Sequence, residues 1–228
     1  MSTITTTLEK GWLTIQFTQP KIRNALTDQM VFELTSELNR AAADTAVRGI
    51  TFRGEGAVFC AGGDLKGFQK TLDADSIAQI TEVSKRAGGL FHLINDMPQV
   101  VGMCVHGAAI AGCLGMMAAG DVVIATRDAK FALTETQLGI VPAQIAPLVL
   151  QRVGPAAARR LMLTGARFDG NEAARIGLAD YVVDDTDAMI AKEVDIRRDV
   201  YRCAPGAVAA TKHILRNLAN GNRAIVID

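Results

Sequence analysis

Val100-Val101-Gly102-Met103-Cys104-Val105-His106-Gly107-Ala108-Ala109-Ile110-Ala111-Gly112-Cys113-Leu114-Gly115 is the stretch that decides how this chain folds. Its apolar opening, up to Val105, reads as a short buried strand. His106-Gly107 breaks the strand, and a run of small residues then enters a helix near Gly112. The apolar character continues to Ala119, but His106, Gly107, Gly112 and Gly115 interrupt it, so it reads as strand, loop and helix rather than a membrane span. At the loop-to-helix junction, backbone N–H groups have no partner within the helix. Donors fixed in advance there can stabilise a carbonyl oxygen that gains negative charge. Taken alone, the same small residues serve close helix packing at least as well.

The same strand, loop, helix order recurs upstream. Ile4 to Leu8 and Trp12 to Phe17 alternate apolar with polar residues across Lys10 and Gly11, as a hairpin does. Thr27 is the expected N-cap of a helix from about Asp28 to Ala42, with Met30, Leu34 and Leu38 on one face. Gly49 to Arg53 reads as a strand, Gly54 to Phe68 as a glycine-rich loop and Ser76 to Ile94 as an amphipathic helix. Downstream, Ala118 to Ala125 returns to strand. After Phe131 the pattern becomes mainly helical, with helices expected over Ala156–Leu163, Gly170–Ile176, Asp187–Arg202 and Gly206–Leu218. A short strand, Leu178 to Val183, lies among them. One α/β domain over residues 1–228 is therefore expected, with a core over about 1–150 and a helical part over about 151–228.

Composition narrows the function classes. The chain has 228 residues, 49% hydrophobic and only 5% aromatic, so its core is aliphatic. Lys+Arg and Asp+Glu both number 24, and neither sign clusters, which gives nucleic acid or an anionic membrane no electrostatic support as a partner. Cys60, Cys104, Cys113 and Cys203 have no metal-ligand or CxxC spacing and read as reduced structural thiols. The start, MSTITTTLEKGW, lacks the pattern of a signal peptide, so the cytoplasm is the expected compartment.

Two further segments carry chemistry. In Phe59-Cys60-Ala61-Gly62-Gly63-Asp64-Leu65-Lys66, adjacent glycines permit a backbone that aims N–H groups at an anion or carbonyl oxygen. A simple turn with Asp64 capping a short helix accounts for it equally well. In Thr134-Glu135-Thr136-Gln137-Leu138-Gly139-Ile140-Val141-Pro142, Glu135 is a charge among apolar neighbours. Burial there would raise its pKa and suit it to proton transfer. By itself, a surface Glu in a first helical turn capped by Thr134 is the commoner situation. His106 at a strand end reads as structural, and His92 and His213 have no partners at metal spacing.

Together these segments resemble the enoyl-CoA hydratase/isomerase (crotonase) family. Arg23-Asn24-Ala25-Leu26, the 59–66 loop, Val105-His106-Gly107 through Gly112 to Asp121, Ala129-Lys130-Phe131 and Glu135 to Pro142 stand in family order. Later matches include Gly154, Thr164-Gly165 and Phe168-Asp169. The resemblance runs from about Gly11 to Arg216. It implies a spiral of ββα units with a helical C-terminal trimerisation region, assembled as a homotrimer or dimer of trimers. It also implies an acyl-CoA substrate, coenzyme A being part of the thioester, with no other cofactor and no metal.

By the same resemblance, the N–H groups of Gly63 and Gly112 form the oxyanion hole and Glu135 is the acid/base. CoA contacts fall on Arg23, Ala25 and Leu26 for the adenine and phosphate end. Ala61, Asp64, Leu65 and Lys66 make contacts mostly through backbone, with Gly63 and Gly112 at the thioester.

One departure matters. Hydratases of this family usually carry a second glutamate three residues after the oxyanion glycine, and here that position is Gly115. A single carboxylate fits a 3-enoyl-CoA to 2-enoyl-CoA isomerase, whose corresponding stretch Glu135–Ile140 resembles. Single-glutamate hydratases also occur. Pro142-Ala143-Gln144-Ile145-Ala146-Pro147 and Thr164 to Gly170 resemble branched glutaconyl-CoA hydratases, which favours hydration of a 2-enoyl-CoA. Glu55 and Glu82 are candidate replacements in exposed contexts. A non-catalytic CoA-binding scaffold is a third reading, opposed by the joint retention of Gly63, Gly112 and Glu135. The family usually continues for about a helix beyond the position of Asp228.

Overall fold

In the computed structural model, residues 2–63 and 77–219 are described. Strands β1 (Ile4–Glu9) and β2 (Trp12–Phe17) form the expected antiparallel hairpin, turning at Lys10 and Gly11, both with positive φ. β3 (Gly49–Gly54) then pairs parallel to β2, and β4 (Val100–Val105) parallel to β3. β5 (Ala108–Ile110), β7 (Lys130–Ala132) and β8 (Phe168–Asp169) make a separate three-stranded sheet. β6 (Val122–Thr126) and β9 (Tyr181–Val183) complete the larger sheet, whose order is β1-β2-β3-β4-β6-β9.

The first five helices fill connections between parallel strands, which need long crossovers, and the last two follow β9. They are α1 (Asp28–Ala43), α2 (Ile77–Asp96), α3 (Gly112–Ala118), α4 (Ala146–Thr164), α5 (Gly170–Arg175), α6 (Thr186–Tyr201) and α7 (Pro205–Ala219). Each circuit lays one strand in the large sheet, one extended segment against the small sheet, and then a helix. β4, β5 and α3 make one such circuit; β6, β7 and α4 make the next. In the first circuit a lone parallel bridge, Cys60 to Ala109, stands where the small-sheet strand would be. This is the α/β spiral of ββα units that the resemblance implied, with helices α4 to α7 at the C-terminal end.

Local chemistry explains the helix boundaries. The Thr27 side chain accepts from the Met30 N–H and caps α1, whose Met30, Val31, Leu34 and Leu38 are buried. Losing such a cap costs about 1 kcal/mol. The core is aliphatic except for a few rings, with Phe17 packed on Phe52 and Phe59, and Phe131 stacked on Phe168.

Three expectations needed correction. Ala118 and Ala119 end a helix rather than start a strand; β6 begins only after the Asp121 N–H donates to the Val101 carbonyl at 2.8 Å. The helix expected over Ala156–Leu163 starts a full ten residues earlier, at Ala146, and is broken at Gly154, which has φ 74° and precedes Pro155. Ala108 to Ile110, expected only as an approach to α3, forms β5, because a three-residue strand leaves no readable alternation.

Candidate active site

The site forms where three loops are stitched together by backbone. The Leu26 N–H donates to Gly62 O at 2.9 Å and the Ala61 N–H to Arg23 O at 3.0 Å. The Cys60 N–H donates to Ala108 O at 3.0 Å, and the Ile110 N–H returns to Cys60 O at 3.3 Å. Asn24, fully buried, fixes the first loop: its Nδ2 donates to the carbonyls of Glu55 and Val58, both at 2.9 Å. The bridge between Leu26 and Gly63 uses the Leu26 N–H and the Gly62 carbonyl, so the Gly63 N–H stays outside that pairing.

Gly112 is the first residue of α3, so its N–H has no acceptor within the helix. The residue before it, Ala111, has φ 51° and ψ −126°, a conformation a side chain rarely adopts. Such strain costs about 1–3 kcal/mol and persists where the surroundings enforce it. Here the Ala111 N–H is held by Ala132 O at 2.9 Å, and the twist orients the peptide that carries the Gly112 N–H.

Glu135 opens a single 3-10 turn, Glu135–Leu138, that Thr134 does not cap and Gly139 closes with φ 71°. The turn is pinned to the end of α4. Thr136 Oγ1 donates to Met162 O at 2.9 Å, and Gln137 Nε2 to Gly165 O at 3.2 Å. Glu135 is half-buried, and its Oε2 is buried without a hydrogen-bond partner. Burial pushes its carboxyl above the ordinary carboxylate range, with a smaller opposing effect from a backbone hydrogen bond.

Leu26, Gly63, Gly112 and Glu135 line one cavity of about 500 Å³. Its other walls are largely apolar, including Ala87, Phe91, Ile140 and Ile145. Arg23, Ala25 and Ala61 lie beside this cavity in the stitched loops but do not line it; Arg23 is exposed and in no ion pair among the described residues. Asp64, Leu65 and Lys66 lie outside the described residues. Glu55 and Glu82 are exposed and do not line the cavity. His106 Nε2 lies 2.8 Å from Gly56 O, a structural contact away from it.

At Gly115 there is no room for a side chain. A Cβ built there would stand 2.5 Å from the Cβ of Ile145 and closer still to its Cγ2, and Ile145 is buried. An aliphatic group therefore fills the space beside the position where many hydratases carry their first glutamate.

The cysteines needed a further correction. Cys60 and Cys113, expected as separate thiols, are joined as a disulfide with Cα atoms 5.9 Å apart, within the usual range. Their partnership was invisible in sequence spacing because it depends on the Cys60–Ala109 bridge. Cys104 and Cys203 are free, and burial holds the Cys104 thiol up at about 11. Among the described residues no three His, Cys, Asp or Glu side chains gather as a metal site, and no helix is long and apolar enough to cross a membrane.

Ser84 and Phe91 fall in the stretch around 68–91 whose variability marks it as pocket wall, whereas nothing in their own segment marks Ile145 and Gln144 as cavity residues. The glycine pair Gly88-Gly89 inside a helix was the available signal, since glycine is unfavourable there without a packing reason.

Gly63, Gly112 and the half-buried Glu135 line one largely apolar cavity, an arrangement of a kind that can serve enolate chemistry on a carbonyl compound. The enoyl-CoA hydratase/isomerase family pattern matches residues 7–226. Pseudomonas aeruginosa AtuE is similar in structure at TM-score 0.92 and 40% identity, over 94% of this chain and 83% of that one. An enoyl-CoA hydratase/isomerase from Marinobacter aquaeolei gives TM-score 0.90 at 32% identity, over 96% and 85% of the two chains. The carnitinyl-CoA dehydratase of Proteus mirabilis is 33% identical over 208 residues, 90% of this chain and 76% of its own length. The chain belongs to the enoyl-CoA hydratase/isomerase family.

Proposed function

We propose that this protein is a hydratase that adds water across the double bond of a 2-enoyl-CoA thioester, with a branched glutaconyl-type acyl group as the leading substrate class. The observation that carries this reading is the buried, unpartnered Glu135 Oε2 in the same cavity as Gly63 and Gly112. The two N–H groups polarise the thioester carbonyl, which makes C3 of the conjugated double bond electrophilic. Water attacks C3 and Glu135 takes its proton; the electron pair moves to C2 and the carbonyl oxygen as an enolate. Glu135 then returns the proton to C2. No oxidation state of a cofactor changes, so the reaction calls for no redox group, and the N–H pair serves where a Lewis acid otherwise would.

In this reading Arg23, Ala25 and Leu26 meet the adenine and phosphate end of CoA. Ala61, Asp64, Leu65 and Lys66 follow its pantetheine arm, with Gly63 and Gly112 at the thioester. The hydratase reading is supported by the relatives named hydratase and dehydratase. The glutaconyl class rests on the sequence resemblance of residues 142–147 and 164–170. A homotrimer or dimer of trimers is the assembly we assign.

A second reading has its own observation. With Ile145 against Gly115, no second carboxylate stands there to hold a water, which favours a 3-enoyl-CoA to 2-enoyl-CoA isomerase. Glu135 would then remove a proton from C2 and deliver it to C4. Incubation with a 2-enoyl-CoA and separately with a 3-enoyl-CoA, followed by mass measurement, decides between them. Hydration adds the mass of water to the first; isomerisation leaves the mass of the second unchanged while moving its double bond. Turnover of neither would leave the scaffold reading standing.

A further inference from the structure

Helix α2 forms one wall of the cavity, and its residues at spacing four and three, Ser84, Gly88 and Phe91, share a face. Phe91 marks the reacting end: its Cζ lies 3.7 Å from where a Cβ on Gly112 would stand. One turn further along, Gly88 leaves room for a side chain from across the cavity. A Cβ at Gly88 would run into Oε1 of Gln144 and stand 2.8 Å from its Cδ. Glycine is unfavourable inside a helix, and here the space it opens holds the Gln144 carboxamide. From that position Gln144 Nε2 donates to Ser84 Oγ at 3.3 Å.

This pair stands out against its surroundings. Val83, Ala87, Phe91, Ile140 and Ile145 make the nearby wall apolar, and Asp28, at the cavity's edge, is already paired with Arg86 at 3.1 Å. Ser84 uses its oxygen to accept from Gln144, which leaves its own proton free to donate; Gln144 keeps a second N–H. The pair therefore offers donors to whatever enters. By helix rise, Gly88 and Ser84 lie about 5 and 10 Å from Phe91 along α2. An extended carbon chain advances about 1.3 Å per bond, so these distances correspond to roughly four to eight bonds.

We propose that Ser84 and Gln144 are specificity-determining residues that hold an oxygen acceptor, a carboxylate or carbonyl, carried on the acyl chain beyond the reacting double bond. This rests on the reading that the cavity takes an enoyl-CoA, and it extends that reading to the far end of the acyl group. Such pairs discriminate because a bound substrate lacking the acceptor covers these half-buried donors without pairing them.

The test compares three 2-enoyl-CoA esters of equal chain length: one ending in methyl, one in carboxylate and one in a neutral methyl ester. The quantity is the ratio of kcat/KM for each oxygen-bearing substrate to that for the methyl-ended one. In the unaltered protein the ratio exceeds one for at least one oxygen-bearing substrate. In Ser84→Ala and in Gln144→Leu it falls about tenfold or more. Gly88→Ala favours the helix yet displaces the carboxamide, so it lowers the same ratio without an unfolding explanation. A fall for the carboxylate alone identifies a charged terminus; a fall for both identifies a carbonyl. A ratio that none of the three variants moves overturns the proposal. If the unaltered protein converts none of the esters, the hydratase reading fails separately. The same ratios are then read as dissociation constants by calorimetry, with the same outcomes required.

Discussion

Glu135 and the Gly115–Ile145 contact, at two sides of the cavity, are built in opposite ways. On one flank Glu135 keeps a carboxylate in a place that costs stability, with Oε2 buried and unpartnered. On the other, Gly115 and Ile145 are packed so closely that no side chain fits at 115. The first flank holds a group the fold would be more stable without; the second is filled as an ordinary core is. On the proposed reading the difference separates chemistry from packing, and each flank can be altered to test the division.

The largest effect is expected from Glu135→Gln, which keeps shape and removes the exchangeable charge. Turnover should fall by about 10²–10⁴-fold while binding of a CoA ester persists, measured by steady-state kinetics and calorimetry. The same variant should melt higher at neutral pH. Glu135's folded pKa is raised, so its burden on stability is absent below the unfolded value of about 4.3 and grows as pH rises through the folded one. The melting difference should therefore vanish near pH 4 and appear by pH 8. As a base, Glu135 also sets the acid limb of kcat/KM, which should lie above the ordinary carboxylate range.

On the packed flank, Gly115→Glu should destabilise by about 3 kcal/mol or more, from overpacking and a charge without a partner, read as a lower denaturant midpoint. Next in size is the link between the two donor loops. Denatured, unreduced protein should show two titratable thiols, Cys104 and Cys203, and reduction should lower stability by about 2–4 kcal/mol. Four titratable thiols would sink the disulfide. The smallest effect belongs to Ala111→Gly, which relieves a strained φ of 51° and should raise stability by about 1 kcal/mol in a denaturant melt.

Much of this was legible from residue order. The hairpin, the Thr27 cap, the strand at Val100 and the helix start at Gly112 follow from local periodicity and small-residue punctuation, which act over a few neighbours. Glycine-rich loops and a charge among apolar residues stand out along the chain, but only the family resemblance gives Gly63, Gly112 and Glu135 their candidate roles. What was not legible depends on contacts between distant segments. The Cys60–Cys113 pair, β5 against β7, and Ile145 against Gly115 each join positions whose nearness only the completed spiral creates. Gln144 lies in the 142–147 segment that carries the family resemblance, but its place in the cavity depends on the room that the distant Gly88 leaves.

The contact between Gly115 and Ile145 also limits how this lineage can change. A glutamate at 115 meets Ile145, and trimming Ile145 first leaves a void in a packed core. Each step is costly alone, and only the pair in combination gives a second carboxylate space to stand. The two substitutions are thus epistatic. A variant given a two-carboxylate site should carry both changes, and one bearing either alone should be less stable.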